Sequence, residues 1–219
     1  MNTLPIIPGF FRYNFIFLIV FFLITGLVSI FALKAHKITG KKSPQMFGVA
    51  FFIMAMGYFL RILFHAFELE SRGMCKGCFR GMSKFSTLKP LMESLHLGFL
   101  LFGILILVYL SLKVKNKRLF PLLIGIVFLA LISVRQPLGF FTLVSIMLYA
   151  FLVSFYYGNY KKHKQKETLI VLLSFTLLFL SSILLFFSQL NPLFFIVARC
   201  VELAGFIGIL TNLILISKR

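Results

Sequence analysis

The stretch MFGVAFFIMAMGYFLRILFHAFELE, residues 46–70, is apolar for most of its length and then carries ionisable side chains near its end. A helix needs about 20 apolar residues to cross the hydrocarbon core of a bilayer. Only helices and closed β-barrels can cross that core, because every backbone polar group must be satisfied internally. The stretch therefore predicts a transmembrane helix with charged residues in one of its halves.

The composition of the whole chain agrees with a membrane protein. Of its 219 residues, 60% are hydrophobic and 13% are charged, and the mean hydropathy is +1.02. These values are typical of polytopic membrane proteins. The formal net charge of +18 does not indicate nucleic-acid binding, because most of the Lys and Arg residues directly flank apolar runs, where they determine topology.

Six further apolar runs accompany the first. The seven predicted spans are 13–34, 46–68, 90–112, 119–135, 138–158, 168–189 and 192–216. The predicted fold is an all-α, multi-pass integral membrane protein with seven transmembrane helices in a single domain, residues 1–219, in the cell membrane.

Basic residues predict the orientation of the spans. Lys and Arg are more frequent in segments 34–42, 113–118, 161–166 and 218–219 than in the segments on the opposite side. The positive-inside rule then places the N-terminus outside, the C-terminus in the cytoplasm and loop 70–89 outside. Only three residues follow the last apolar run, so we expect any output to be carried by a cytoplasmic or membrane partner protein.

Away from the ends of the spans, charged residues and histidines are restricted to three helices, and within each helix they share one face. Their spacings are i, i+4, i+7 or i, i+3. The three groups are Arg61, His65 and Glu68; Glu93 and His96; and Arg199 and Glu202. With the predicted orientation they all fall in the outer half of the membrane. Because charges facing lipid are costly, these faces are expected to meet inside the bundle.

Such a cluster favours a binding or sensory module for an anionic or amphiphilic ligand. Arg61 and Arg199 would clamp the anion, since a guanidinium binds carboxylate or phosphate through two parallel hydrogen bonds. His65, His96 and Glu202 would orient them. Arg61 and Glu202 lie at similar depth and are expected to share one pocket. The alternative is an ion-pair network that only determines how the helices pack. Whether the protein is an enzyme stays open.

Two histidines provide a second functional hypothesis. His65-x-x-Glu68 and Glu93-x-x-His96 lie on consecutive antiparallel spans, and such pairs can present ligands to one ion. Zn or Fe accepts His with carboxylate, and two His residues can ligate a haem. This pattern predicts a metal- or haem-dependent redox protein or intramembrane enzyme using His65 and His96.

Loop 70–89 is basic and contains a C-x-x-C pair. Its positive charges recur every four residues, which suggests contact with anionic lipid head groups: Arg72, Lys76, Arg80 and Lys84. Cys75 and Cys78 can form a disulfide outside the cytoplasm. Together with Cys200 they allow a third hypothesis, a membrane thiol oxidoreductase.

Overall fold

The computed structural model describes residues 10–40, 42–73, 83–112, 125, 127, 137–188 and 191–217. These residues contain six long α-helices, and each includes an apolar segment of 22–26 residues, which is long enough to cross a bilayer core of about 30 Å. The helices are α1 (Phe10–Thr39), α2 (Lys42–Gly73), α3 (Ser83–Leu112), α4 (Pro137–His163), α5 (Lys166–Phe187) and α6 (Pro192–Ser217). The protein is thus all-helical, with six helices of membrane-spanning length in its described part.

Six of the seven predicted spans therefore have a helix. The predicted fourth span, 119–135, lies outside the described residues except for Gly125 and Val127. The count of seven consequently does not match the six helices that the described residues form.

The six helices are arranged in a ring. Each packs against the next in chain order, and α6 also packs against α1. Two connections are very short because one residue in each has a left-handed backbone. Gly40 (φ 66°) links α1 to α2, and Lys164 (φ 47°) links α4 to α5. Their N–H groups donate to the carbonyls of His36 and Tyr160, each at 2.8 Å, which ends the preceding helix and reverses the chain.

An Asn-Pro pair determines where α6 begins. The side-chain oxygen of Asn191 accepts a hydrogen bond from the Leu193 N–H at 3.0 Å, as expected of an N-cap residue. Pro192 is the first helical residue, where its missing N–H costs nothing. This start places Arg199 and Glu202 two to three turns into the helix.

Aromatic side chains and small residues hold the ring together. The Phe21 ring of α1 stacks on Tyr58 of α2 at 5.3 Å and meets Phe206 of α6 edge-on at 5.9 Å. Gly103 of α3 lies directly against the backbone and Met54 side chain of α2. Close approach at small residues is the usual way that helices associate in membranes.

Helices that follow one another in the chain alternate in direction except at one place. The short turns make α1 antiparallel to α2, and α4 antiparallel to α5. Along α2, Gly57 and Arg61 contact His96 and then Glu93 of α3. Phe51 and Tyr58 contact Phe206 and then Glu202 of α6. Since the partner numbers fall as those of α2 rise, α3 and α6 run antiparallel to α2 and begin at the end of the bundle where α2 ends. At this end, called the site end below, α1, α3, α4 and α6 begin while α2 and α5 end. Since α3 and α4 both begin there, they run parallel to one another.

Candidate functional site

A buried cluster of polar side chains lies near the site end, contributed by α2, α3 and α6. The Arg199 guanidinium donates from Nη1 to Glu202 Oε2 at 2.7 Å, one helical turn away on the same helix. The Tyr58 hydroxyl of α2 donates to the other oxygen, Glu202 Oε1, at 3.0 Å. Both carboxylate oxygens of Glu202 are therefore engaged, and the tyrosine joins α2 to α6.

Tyr58 is buried at the centre of the cluster but was not among the predicted site residues. A signal was present, because Tyr58, Arg61 and His65 follow one another at i, i+3 and i+7 and so share a helix face. A lone Tyr in an apolar run also occurs as an ordinary core or interface residue, and that ambiguity concealed its role.

Aromatic rings surround the Arg199 side chain. Its guanidinium carbon lies 5.0 Å from the Phe195 ring centroid and 5.7 Å from the Phe21 ring centroid. Both distances are within the range of cation–π attraction. The positive charge of Arg199 is thus balanced by the Glu202 carboxylate and by the faces of the Phe21 and Phe195 rings. Its Nε atom is buried and has no hydrogen-bond partner among the described residues.

A second, looser ion pair joins α2 to α3. Arg61 Nη2 lies 3.9 Å from Glu93 Oε1, and the two side chains are 22% and 34% exposed. The pair between Arg199 and Glu202 is shorter and less exposed, at 14% and 17%. A partly exposed ion pair at this distance contributes little to stability. The Nη1 atom of Arg61 is buried and, within the part of the chain that the structure describes, makes no hydrogen bond.

Both predicted intramembrane histidines are buried, in different surroundings. His96 Nδ1 lies 2.9 Å from the Gly57 carbonyl oxygen, to which it must donate because a carbonyl only accepts. Its ring centroid is 5.6 Å from that of Tyr58. His65 meets the Phe15 ring edge-on at 5.7 Å. His96 therefore lies beside Tyr58 in the cluster, while His65 faces α1.

A small cavity of about 30 Å³ adjoins the tighter ion pair. Its wall combines apolar and polar side chains from α3, α4, α5 and α6: Leu100, Leu138, Phe141, Tyr149, Leu178, Ser181, Ser182, Leu185, Arg199 and Glu202. A water molecule needs about 10–15 Å³ by this measure, so the cavity has room for about two. Tyr149 and the two serines were not predicted, because nothing in a Ser- or Tyr-containing apolar run distinguishes a cavity-lining residue from a packed one.

The remaining predicted residues fall at the limits of the described chain or beyond them. Cys75, Cys78, Lys76 and Arg80 lie outside the described residues. So do the side chains of three residues whose backbone is helical: Glu68, Arg72 and Lys84. Cys200 is exposed on α6. Among the residues that are described, no three His, Cys, Asp or Glu side chains come together as a metal ion would require.

Comparisons of this chain with protein-family models, with curated proteins and with solved structures give no match.

Proposed function

We propose that this protein is an integral membrane binding or sensory module, whose polar site at the site end takes an anionic or amphiphilic ligand. Arg61 and Arg199 clamp the anionic group. His65, His96 and Glu202 orient the two arginines, and Glu68 and Glu93 complete the proposed binding set. One observation carries the proposal: each arginine has a buried guanidinium nitrogen with no acceptor among the described residues.

Unpaired donors are costly inside a protein. Leaving one buried without a partner costs about 1–3 kcal/mol, and more where the group is charged. Glu202 gives little relief, because each of its oxygens already receives one hydrogen bond, and Glu93 lies 3.9 Å from Arg61, beyond hydrogen-bond distance. An anionic group entering from outside the protein would supply the missing acceptors. Buried polar groups without partners are uncommon and call for an explanation, such as a bound ion, ligand or water.

We infer that the site end faces outward and that the chain crosses the membrane seven times. The parallel directions of α3 and α4 support a further crossing, since Leu112 and Pro137 lie at opposite ends of the bundle. Val127 packs with Leu97 and Leu101 of α3, in accord with it. The end opposite the site carries exposed lysines: Lys34, Lys37, Lys42, Lys161, Lys162, Lys164 and Lys166. The positive-inside rule makes that end cytoplasmic and the N-terminus external.

Cysteine labelling tests the orientation in intact cells. In a background without the native cysteines, Asn191→Cys at the site end should react with an impermeant thiol reagent. Lys162→Cys at the opposite end should react only after permeabilisation. The reverse pattern would place the polar cluster on the cytoplasmic side and contradict an outward-facing site.

Partners follow from the same proposal. The basic loop 70–89 is proposed to contact anionic lipid head groups, and a partner protein is proposed to carry any signal onward.

The metal or haem hypothesis keeps one supporting feature, the His96 Nδ1 hydrogen bond to the Gly57 carbonyl. Such a bond orients many metal-ligating histidines. Elemental analysis and an absorption spectrum of the purified protein decide it, because bound haem gives a Soret band.

Ligand-induced thermal stabilisation tests the anion clamp. The purified protein in a neutral detergent is titrated with sodium acetate, sodium phosphate and sodium dodecanoate, each against sodium chloride of equal ionic strength. A ligand at 100 times its Kd stabilises the folded state by about 2.7 kcal/mol. We expect at least one of these anions to raise the unfolding temperature of the native protein, and Arg61→Gln and Arg199→Gln to diminish the effect.

The matched control is Lys162→Gln, which removes an exposed positive charge far from the site. It should leave the stabilisation unchanged. If the anions stabilise both arginine variants as much as the native protein, the clamp assignment is wrong. The polar cluster would then serve only to hold the helices together.

A further inference from the structure

One edge of the Arg199 guanidinium has no hydrogen-bond acceptor among the described residues. Nη1 is occupied by Glu202, while the buried Nε has no hydrogen-bond partner there. The N–H groups of Nε and the neighbouring Nη2 point the same way in a planar guanidinium. Together they form a fork that matches the two oxygens of a carboxylate.

A small cavity adjoins the Arg199 side chain and limits the size of a group that can bind there. The cavity beside Arg199 measures about 30 Å³, which corresponds to about two water-sized positions. A carboxylate group brings three heavy atoms, one carbon and two oxygens. A phosphate group brings five, so the carboxylate is the smaller group and the better match to this cavity.

The walls supply few additional donors. Ser181 donates its hydroxyl proton to the Ala198 carbonyl and Ser182 donates to the Leu178 carbonyl, each at 3.0 Å. Both serines therefore present only lone pairs. The Tyr149 hydroxyl has no hydrogen-bond partner among the described residues, so it can donate to a bound oxygen. Two donors from the fork and one from tyrosine suit a group with two acceptor oxygens and a single charge.

We propose that the ligand group is a carboxylate, bound to the Nε–Nη2 edge of Arg199 with Tyr149 as the third donor. This inference rests on the proposed anion-binding function and narrows its ligand class. The Glu202 carboxylate does not oppose it strongly, because Tyr58 and Arg199 already compensate its charge. The carboxylate belongs either to a small solute or to a single-chain fatty acid, whose tail would lie outside the cavity because about 30 Å³ does not accommodate a hydrocarbon chain.

Thermal unfolding with Arg199→Lys tests the fork. Lysine keeps the positive charge but replaces the planar fork with a point charge. From the rise in unfolding temperature we obtain an apparent affinity for each anion. For the native protein, we expect the apparent affinity for acetate or dodecanoate to be at least fivefold higher than that for phosphate at equal ionic strength. In Arg199→Lys and in Tyr149→Phe that preference should fall to less than twofold. Methyl dodecanoate, which has the same chain without the charge, should not stabilise the native protein.

Each outcome separates this inference from the function on which it rests. Phosphate binding as tight as that of the carboxylates, or unchanged selectivity in Arg199→Lys, refutes the carboxylate assignment and leaves an anion site. No response to any anion, in a native protein that unfolds cooperatively, refutes both. Stabilisation by acetate alone assigns a small solute, and stabilisation by dodecanoate beyond that by acetate assigns a fatty acid.

Discussion

The ion pair within α6 gives the sharpest prediction about this protein. Replacing Glu202 by Gln keeps its shape and one acceptor for the Tyr58 hydroxyl, but it leaves Arg199 charged without a counter-ion. Replacing Arg199 by Met leaves Glu202 charged with only the tyrosine as a donor. In the double variant both charges are gone, and the neutral amide still accepts from Tyr58 at the 3.0 Å contact.

The structure sets the magnitude of these effects. Removing one partner of a fully buried pair costs about 3–5 kcal/mol. The two side chains here retain 14% and 17% of their exposure, so each single substitution should cost somewhat less, about 2–3 kcal/mol. The double variant should cost about 2 kcal/mol less than the sum of the singles, within the range seen for residues in contact.

Equilibrium unfolding in mixed micelles measures all four proteins of the cycle, with thermal unfolding as a second readout. A loss of 2–3 kcal/mol corresponds to about 4–12 °C for a domain of this size. Arg61→Met combined with Glu202→Gln is the control cycle, because Arg61 pairs with Glu93 and not with Glu202. Its two effects should add to within about 0.5 kcal/mol. Additivity for Arg199 and Glu202, or strong coupling for Arg61 and Glu202, would refute the pairing described above.

Two further stability predictions follow from the same packing. Tyr58→Phe removes a buried hydrogen bond to the Glu202 carboxylate and should destabilise the fold by about 1.5–3 kcal/mol in the same unfolding assay; an unchanged stability would mean that the bond contributes nothing. Gly103→Ala places a Cβ 2.8 Å from the Ala50 carbonyl oxygen, so it should destabilise by about 1–3 kcal/mol. Gly26→Ala is its control: no neighbour lies within 4 Å of the added Cβ, and the change should be neutral or stabilising by up to about 1 kcal/mol.

Some features of the protein could be predicted from local sequence alone. Runs of about 20 apolar residues determine a membrane helix, because hydropathy and length act within one segment and need no tertiary partner. Helical periodicity likewise places Arg199 and Glu202 on one face, and the structure joins them at 2.7 Å. The Asn-Pro start of α6 is equally local, since an N-cap and a first-turn proline act within one turn.

The partners across helices depended on the tertiary structure. Arg61 and Glu202 were predicted to share one pocket, and the structure adds the individual partners: Arg61 lies 3.9 Å from Glu93, and Glu202 accepts a hydrogen bond from Tyr58. The cavity beside Tyr149 had no counterpart in any sequence pattern. Hydropathy and periodicity are properties of a single helix, and they indicate which face of that helix is polar. The rotation and depth at which helices meet are determined by the packing of small and aromatic side chains, and these decide which polar groups touch.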